Sequence, residues 1–467
     1  MKKFWIVLLS VALIMAFAMP VCAADVKFSG SYIAQGYYDN NRTMSKDSGA
    51  SVQNIWQRLR VQTDFKIQEG LTLTTRFDAM EKIWGASRSS LIGSGAGQSA
   101  AAGWTANSGT PDTESENIKF EHAYVTAGLW GGNLKVGYQR QSVFGTEFGD
   151  SGDATYGPRV WYDYTIGPWM FIALWDKVEG TKYYTSAGPG VAGYQVDSDQ
   201  EKFAGAFMYN WGKGNAGLLI YYYLITGQAG PNAIPGSNYS LLTDATGYKR
   251  QIWLFDPYFK AQIGPVYVEG ELVYWTGKWQ KGEMPQSTQA DVTLDGLSAY
   301  VSATYDFAPM YAGLTLAYVS GDDKATTDKN EFGAPAGSDW NPCLMLFNYD
   351  LNRWNGAQGN VGYSWAMPGA SNLQLAQIFV GVKPVPKLNI RASYTIAQAD
   401  KEASSVNWTS KNYGTEFDLT ATYKIYDNLS YMVGMAYLWA GDYFKGTNNA
   451  ATVDNDYLVT HKLTLTF

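Results

Sequence analysis

The segment Tyr457 to Phe467, reading YLVTHKLTLTF, constrains this chain more than any other stretch. Tyr457, Val459, Leu463, Leu465 and Phe467 alternate with Leu458, Thr460, Lys462, Thr464 and Thr466, so one side is mostly apolar and the other mostly polar. The apolar row, interrupted by His461, runs to the last residue, where an ordinary domain frays or turns polar. Such a strand needs a partner, and the natural one is the first strand of the same chain. Pairing last to first closes a sheet into a barrel and removes both edges.

The beginning of the chain reads as a targeting segment. Lys2 and Lys3 precede an apolar run from Phe4 to Met19, too short and too early for a spanning helix. Val21-Cys22-Ala23 places small residues at the −3 and −1 positions. Residues 1–23 are therefore expected to be a signal peptide and 24–467 one barrel domain. Cys22 leaves a lipoprotein site open, although Val21 is a poor residue before it. One cysteine, Cys343, remains with two histidines, His122 and His461. That excludes an intramolecular disulfide, a thiolate metal cluster and covalent haem attachment, so no metal or other cofactor is expected. The formal net charge of −7 disfavours nucleic acid as a partner. No later apolar run approaches the ~20 residues of a transmembrane helix. A chain without one spans a bilayer only as a closed barrel, and abundant Tyr and Trp suit the aromatic girdles of such a barrel.

In chain order, a Gly-interrupted strand from Asp25 to Tyr38 is followed by the pair IWQRLRVQTDFKI and LTLTTRFDAMEKIW around Glu69-Gly70. Further tight turns fall at Gly131-Gly132-Asn133, Gly167-Pro168, Gly212-Lys213-Gly214, Gly264-Pro265, Ala308-Pro309, Pro384-Val385-Pro386 and Asp427-Asn428. Between them lie long connections, the longest from Ser320 to Ala370. Short turns on one rim and long loops on the other describe a transmembrane antiparallel β-barrel with periplasmic turns and extracellular loops. The count is about 18 strands, with 16 as the alternative if Pro342 to Trp365 is misread.

Alternation assigns the faces. Arg58, Arg60 and Asp64 oppose Leu59, Val61 and Phe65, and Arg76 and Asp78 oppose Leu73 and Phe77. Arg391 opposes Ile390 and Ala392, and Glu416 and Asp418 oppose Phe417 and Leu419. A basic residue on the lipid side near the midplane costs about 2–4 kcal/mol, so the charged rows face the lumen. Asp322, Asp323 and Asp328 do not have the spacing of a calcium loop. No serine or aspartate can be placed beside His122 to make a hydrolase site, so no catalytic residues are assigned and the chain is not expected to be an enzyme.

The segment Gln57-Arg58-Leu59-Arg60 through Phe65, followed by a turn and a strand ending Trp84-Gly85, resembles the homotrimeric outer-membrane porins of sulfate-reducing and related Gram-negative bacteria. The terminal Phe467, with Leu465, Leu463 and Tyr457 before it, resembles the signal read by the barrel-assembly machinery. The resemblance implies a homotrimer in lipid and lipopolysaccharide, passing small hydrophilic solutes and ions passively through water-filled channels. It also implies that Gly145 to Pro158 folds into the lumen, setting Glu147, Asp150 and Asp153 against a basic wall of Arg58, Arg60, Arg76 and Arg140. A substrate-selective or export channel, for instance for anionic saccharides, is the alternative. A plugged structural or adhesin barrel, with Ser320–Ala370 as the plug, is another.

Overall fold

The structure, a computed structural model, describes residues 25–46, 51–85, 118–141, 144–150, 155–179, 200–228, 248–282, 290–323, 325–351, 369–402, 410–446 and 448–467. The expected signal segment, most of the loop after Gly85 and Asp153 lie outside the described residues. One sheet contains β1 (Asp25–Asp39), β2 (Val52–Gln68), β3 (Leu71–Ile83), β4 (Ile118–Leu129), β5 (Gly132–Arg140), β6 (Tyr156–Ile166), β7 (Trp169–Glu179), β8 (Gln200–Trp211) and β9 (Gly214–Gln228). It continues with β10 (Tyr248–Ile263), β11 (Val266–Gly282), β12 (Val292–Phe307), β13 (Met310–Val319), β14 (Lys329–Asn330), β15 (Leu373–Val385), β16 (Leu388–Gln398), β17 (Asn412–Tyr426), β18 (Leu429–Ala440) and β19 (Asp456–Thr466). The two-residue β14 only lies beside β12, while β13 pairs directly with β15. The wall is therefore a closed antiparallel barrel of eighteen strands.

Closure is the expected one. β1 and β19 pair from Ser31↔Thr466 to Asp39↔Leu458. Gly30 N donates to Phe467 O at 2.8 Å, and Phe467 N donates to Gly30 O at 3.0 Å. No strand of the wall is left with an open edge, which is what the amphipathic last strand required.

Eight connections are two-residue turns on one rim. Two sit differently from the sequence expectation. The β4–β5 turn is Trp130-Gly131, where both residues have positive φ (51° and 81°), as a type I′ hairpin demands. The β15–β16 turn is Pro386-Lys387, because β15 continues through Pro384 and Val385. The register slips between Val382 and Val385, so Pro384 sits at an irregularity where a missing N–H costs no ladder bond.

Alternation sorts the side chains cleanly. Phe171, Trp175, Phe207, Val301, Ile378, Val380 and Val433 point outward and are exposed, the apolar row that the alternation assigned to the outer face. Arg60, Arg76, Asp78, Asp176, Glu271, Thr315, Gln377, Glu416 and Asp418 point inward and are buried. A second apolar core lies inside the barrel. Cys343, Met345, Leu346 and Phe347 of the β14–β15 connection pack there with the wall residues Ala317, Leu375, Ala397, Ala436, Leu438 and Leu458.

Candidate functional site

The candidate site is the barrel interior, built from an ion-paired wall and two inward segments. On the wall, Arg60 forks onto Asp78, with Nε to Oδ1 at 2.7 Å and Nη2 to Oδ2 at 2.8 Å. Arg60 Nη2 and Arg76 Nη2 both reach Glu121 Oε2 at 3.0 Å, and Arg76 Nη2 donates to the Tyr156 hydroxyl at 2.9 Å. Arg58 Nη1 lies 3.9 Å from Asp78 Oδ2. Further round, Arg159 forks onto Asp176 at 2.6 and 2.8 Å. Register explains the network, since Arg60 lies opposite Asp78 and Arg159 opposite Asp176 across the ladder. Of the arginines expected to form a basic wall, Arg58, Arg60 and Arg76 come together while Arg140 lies by Asp339, and carboxylates on adjacent strands neutralise much of the wall. Buried guanidinium groups require that pairing.

The first inward segment is residues 144–150, in the connection expected to enter the lumen. Glu271, on the inner face of β11, holds it. Its Oε2 accepts the Thr146 N–H at 2.8 Å and also the Thr146 hydroxyl. Cβ atoms at Gly145 and Gly149 would stand 2.2 and 2.1 Å from Glu271 Oε1, so only glycine lets the loop wrap this carboxyl so closely. Phe148 stacks on Tyr300 with centroids 5.1 Å apart and meets Trp340 edge-on at 5.2 Å. Glu147 keeps an exposed side chain near Glu269, which accepts the Tyr300 hydroxyl at 2.8 Å and the Tyr267 hydroxyl at 2.9 Å. Burial first, then Glu269, push the Glu147 carboxyl above its ordinary range, while Lys260 acts the other way. The Asp150 carbonyl accepts the Asp339 N–H at 3.2 Å. Arg140 Nη2 lies 3.7 Å from Asp339 Oδ2, so Arg140 ties the wall to the second inward segment.

That second segment, within 331–351, is anchored by Glu416. Its Oε1 accepts the N–H groups of Leu344 (3.0 Å) and Met345 (2.7 Å), and its Oε2 accepts that of Leu346 (2.7 Å). Asp418 Oδ2 accepts the Ser393 hydroxyl at 3.1 Å. Gln377 donates to the Pro342 carbonyl at 2.8 Å and takes a bond from Arg391 Nη2 at 3.0 Å, with the Arg391 guanidinium 4.5 Å above the Phe379 ring. Glu416 and Asp418 thus face inward as expected but hold a folded segment. Cys343 brings its sulfur within 4.8 Å of oxygens of Glu416 and Asp418. Glu416 is occupied by three backbone donors there, and burial pushes the Cys343 thiol far up, so the cluster does not fit a metal.

Other assigned residues are dispersed. Asp64 accepts the Thr74 hydroxyl at 2.7 Å on the turn side of the lumen. His122 is buried between Tyr124 and Tyr156, with centroids at 6.2 and 5.5 Å. Tyr457, Leu463 and Leu465 lie on the outer face of β19, and Phe467, exposed, directly follows its end.

Sequence reasoning missed Glu121, Glu271 and the Arg159–Asp176 pair. The flanking glycines in Gly145-Thr146-Glu147-Phe148-Gly149 were the available signal for a wrapped carboxyl. It also missed an apolar band on the inner wall, where Ile172, Leu174, Leu219, Tyr221, Leu254 and Val273 are buried together. β7 reads WMFIALWD, apolar on both faces, so a period of two leaves nothing to sort.

No family model matches the chain, and no curated protein does. Among solved structures, it is similar to OpdK from Pseudomonas aeruginosa with vanillate at 11% identity, covering 94% of this chain and 98% of that one with a TM-score of 0.49. OccK9 (OpdG) from Pseudomonas aeruginosa is 12% identical, with 94% and 99% covered and a TM-score of 0.49. The outer-membrane channel DcaP of Acinetobacter baumannii is 10% identical, with 95% and 98% covered and a TM-score of 0.44.

Proposed function

We propose that this chain is an outer-membrane channel through which small hydrophilic solutes and ions diffuse down their gradients. The observation that carries the reading is the loop at residues 144–150, held across the interior of an eighteen-strand barrel by Glu271. Barrels of that size enclose an aqueous lumen, and an inward loop sets its narrowest point. With Arg58, Arg60, Arg76 and Arg159 facing carboxylates, the Glu147 and Glu269 carboxyls tilt the constriction toward cations. Assembly as a homotrimer, as the resemblance implies, belongs to the same proposal.

A narrower, substrate-selective channel is the second reading. The observation favouring it is the apolar band over β7–β11, together with the Met345–Phe347 plug. Single-channel recording of the refolded protein in planar bilayers tests both. Ohmic openings with a modest cation reversal potential support the diffusion channel. Small openings blocked by one class of solute support the selective one. Silence from a folded barrel overturns both.

A further inference from the structure

The carboxyl that holds the 144–150 loop does not stand alone in the wall. Tyr258 on β10 lies opposite Glu271 on β11, and Asp256 is two residues along on the same inner face. Asp256 is 5% exposed and Glu271 4%. The two carboxyls lie within hydrogen-bonding reach of one another. Asp256 Oδ1 is buried with no hydrogen-bond donor among the described residues. Neither carboxyl forms an ion pair with Lys, Arg or His among the described residues. Two buried charges of one sign in contact are strongly unfavourable, so this contact needs a proton.

The neighbouring elements are occupied otherwise. On β10, the Tyr258 hydroxyl donates to Met208 Sδ at 3.2 Å, and Lys260 Nζ sits 5.8 Å from the Tyr258 ring. On β9, Leu219 is opposite Asp256, and the Tyr221 hydroxyl accepts from Arg159, which forks onto Asp176. Lys202 on β8 lies over Tyr223. On β11, Glu269 takes the Tyr267 hydroxyl and, from β12, that of Tyr300. From the loop, Phe144 meets the Tyr258 ring edge-on at 5.0 Å, and Glu147 is exposed. The loop also decides which carboxyl carries the proton. Glu271 accepts the Thr146 N–H at 2.8 Å, the Thr146 hydroxyl and a further bond from the Gly149 backbone. Donors of that kind favour an ionised acceptor, and Asp256 receives none from the loop.

We propose that Asp256 is a neutral carboxylic acid that donates its proton to Glu271 and thereby positions the loop across the lumen. Asp256 is a positioning residue, acting on passing solutes only through Glu271 and the loop. Its effect on conductance rests on the reading of residues 144–150 as the constriction, while the shared proton needs only the closed wall. Loss of that proton sets two negative charges side by side in a buried site. Glu271 must then turn away, and Thr146 and Gly149 lose their acceptor. The fit leaves no slack, since Cβ atoms at Gly145 and Gly149 would already collide with Glu271 Oε1. Alkaline pH is therefore expected to release the loop and widen the lumen. That response is separate from any effect of Glu147, whose exposed charge acts on the permeating ions directly.

The test pairs infrared spectroscopy with single-channel recording on the full-length protein refolded into lipid. A protonated carboxyl has a carbonyl stretch separate from the carboxylate and amide bands. The difference spectrum of wild type minus Asp256→Asn is expected to show that band in neutral buffer and to lose it in alkaline buffer. Over the same change of buffer, the wild type is expected to gain a larger unitary conductance level. Asp256→Asn, whose amide donates the same bond and cannot ionise, is expected to lack that alkaline level. Lys260 and the tyrosines are present in both proteins, so their own ionisation cancels. Heat-modifiable migration checks that the variant is a folded barrel. Absence of the carboxylic band in neutral buffer overturns the proposal, and so does an alkaline conductance level that the folded Asp256→Asn variant shares. A band that vanishes in alkaline buffer with no change in conductance keeps the shared proton and overturns instead the reading of the loop as the constriction.

Discussion

Replacing Glu416 by alanine tests whether the 331–351 segment is a plug that a single carboxyl holds in place. The Glu416 oxygens accept three backbone N–H groups, from Leu344, Met345 and Leu346, at 3.0, 2.7 and 2.7 Å. A net contribution of about 1 kcal/mol per bond makes their loss worth about 3 kcal/mol. At 1.4 kcal/mol per decade, the undocked population rises roughly 100-fold. Apolar contacts oppose full release, because Met345, Leu346 and Phe347 are completely buried and each such side chain is worth about 1.5–3 kcal/mol. The expected result is therefore more frequent excursions to a larger conductance, not a permanently open pore. The assay is single-channel recording of wild type, Glu416→Ala and Phe347→Ala in matched bilayers. Phe347→Ala removes apolar packing by a different route, worth about 3–5 kcal/mol, and is expected to produce the same larger level. Unchanged conductance and open-state statistics in both folded variants would refute the idea that this segment obstructs the lumen.

The other predictions concern the wall, the loop and pH. Glu121→Ala removes the carboxylate that Arg60 and Arg76 share, while Arg60 keeps its fork on Asp78, at a cost of about 3–5 kcal/mol for a broken buried pair. It is expected to lower the urea midpoint of the heat-modifiable barrel, and an unchanged midpoint would show that the network contributes nothing. Gly149→Ala drives a methyl group into Glu271 and is expected to displace the 144–150 loop, changing unitary conductance while the barrel still folds. Identical conductance traces would mean that the loop does not set the constriction. Because burial and Glu269 raise the Glu147 carboxyl, it loses its charge at a higher pH than an ordinary carboxylate, whose pKa is about 4.3. Cation preference is thus expected to fade on acidification, starting above that range, and reversal potentials of Glu147→Gln should lack this component. A pH profile shared by wild type and Glu147→Gln would exclude Glu147 as its source.

Alternation along single strands was enough to read the barrel, because inside and outside differ so sharply in polarity. The row Tyr457, Val459, Leu463, Leu465 and Phe467 implied a first-strand partner, and β1 provides it. The same rule put Arg60, Arg76, Asp78, Glu416 and Asp418 on the inner face. It failed where both faces are apolar, as in β7, and where Pro384 sits at an irregular register, in β15.

What those inward charges do was decided only by the closed structure. Arg60 meets Asp78 and Glu121 from the two following strands, and Arg159 meets Asp176 from the strand after its own. Glu416 bonds residues some 70 positions away, and Glu271 bonds Thr146 across 125. No local pattern encodes such contacts, because they depend on which strands become neighbours and which connections turn inward. The sequence alone determined a closed, two-faced barrel, since the period of two acts residue by residue. The tertiary structure decided that the barrel's interior is occupied and its arginines paired, since buried charges and backbone donors take whatever partners the closed wall brings within reach.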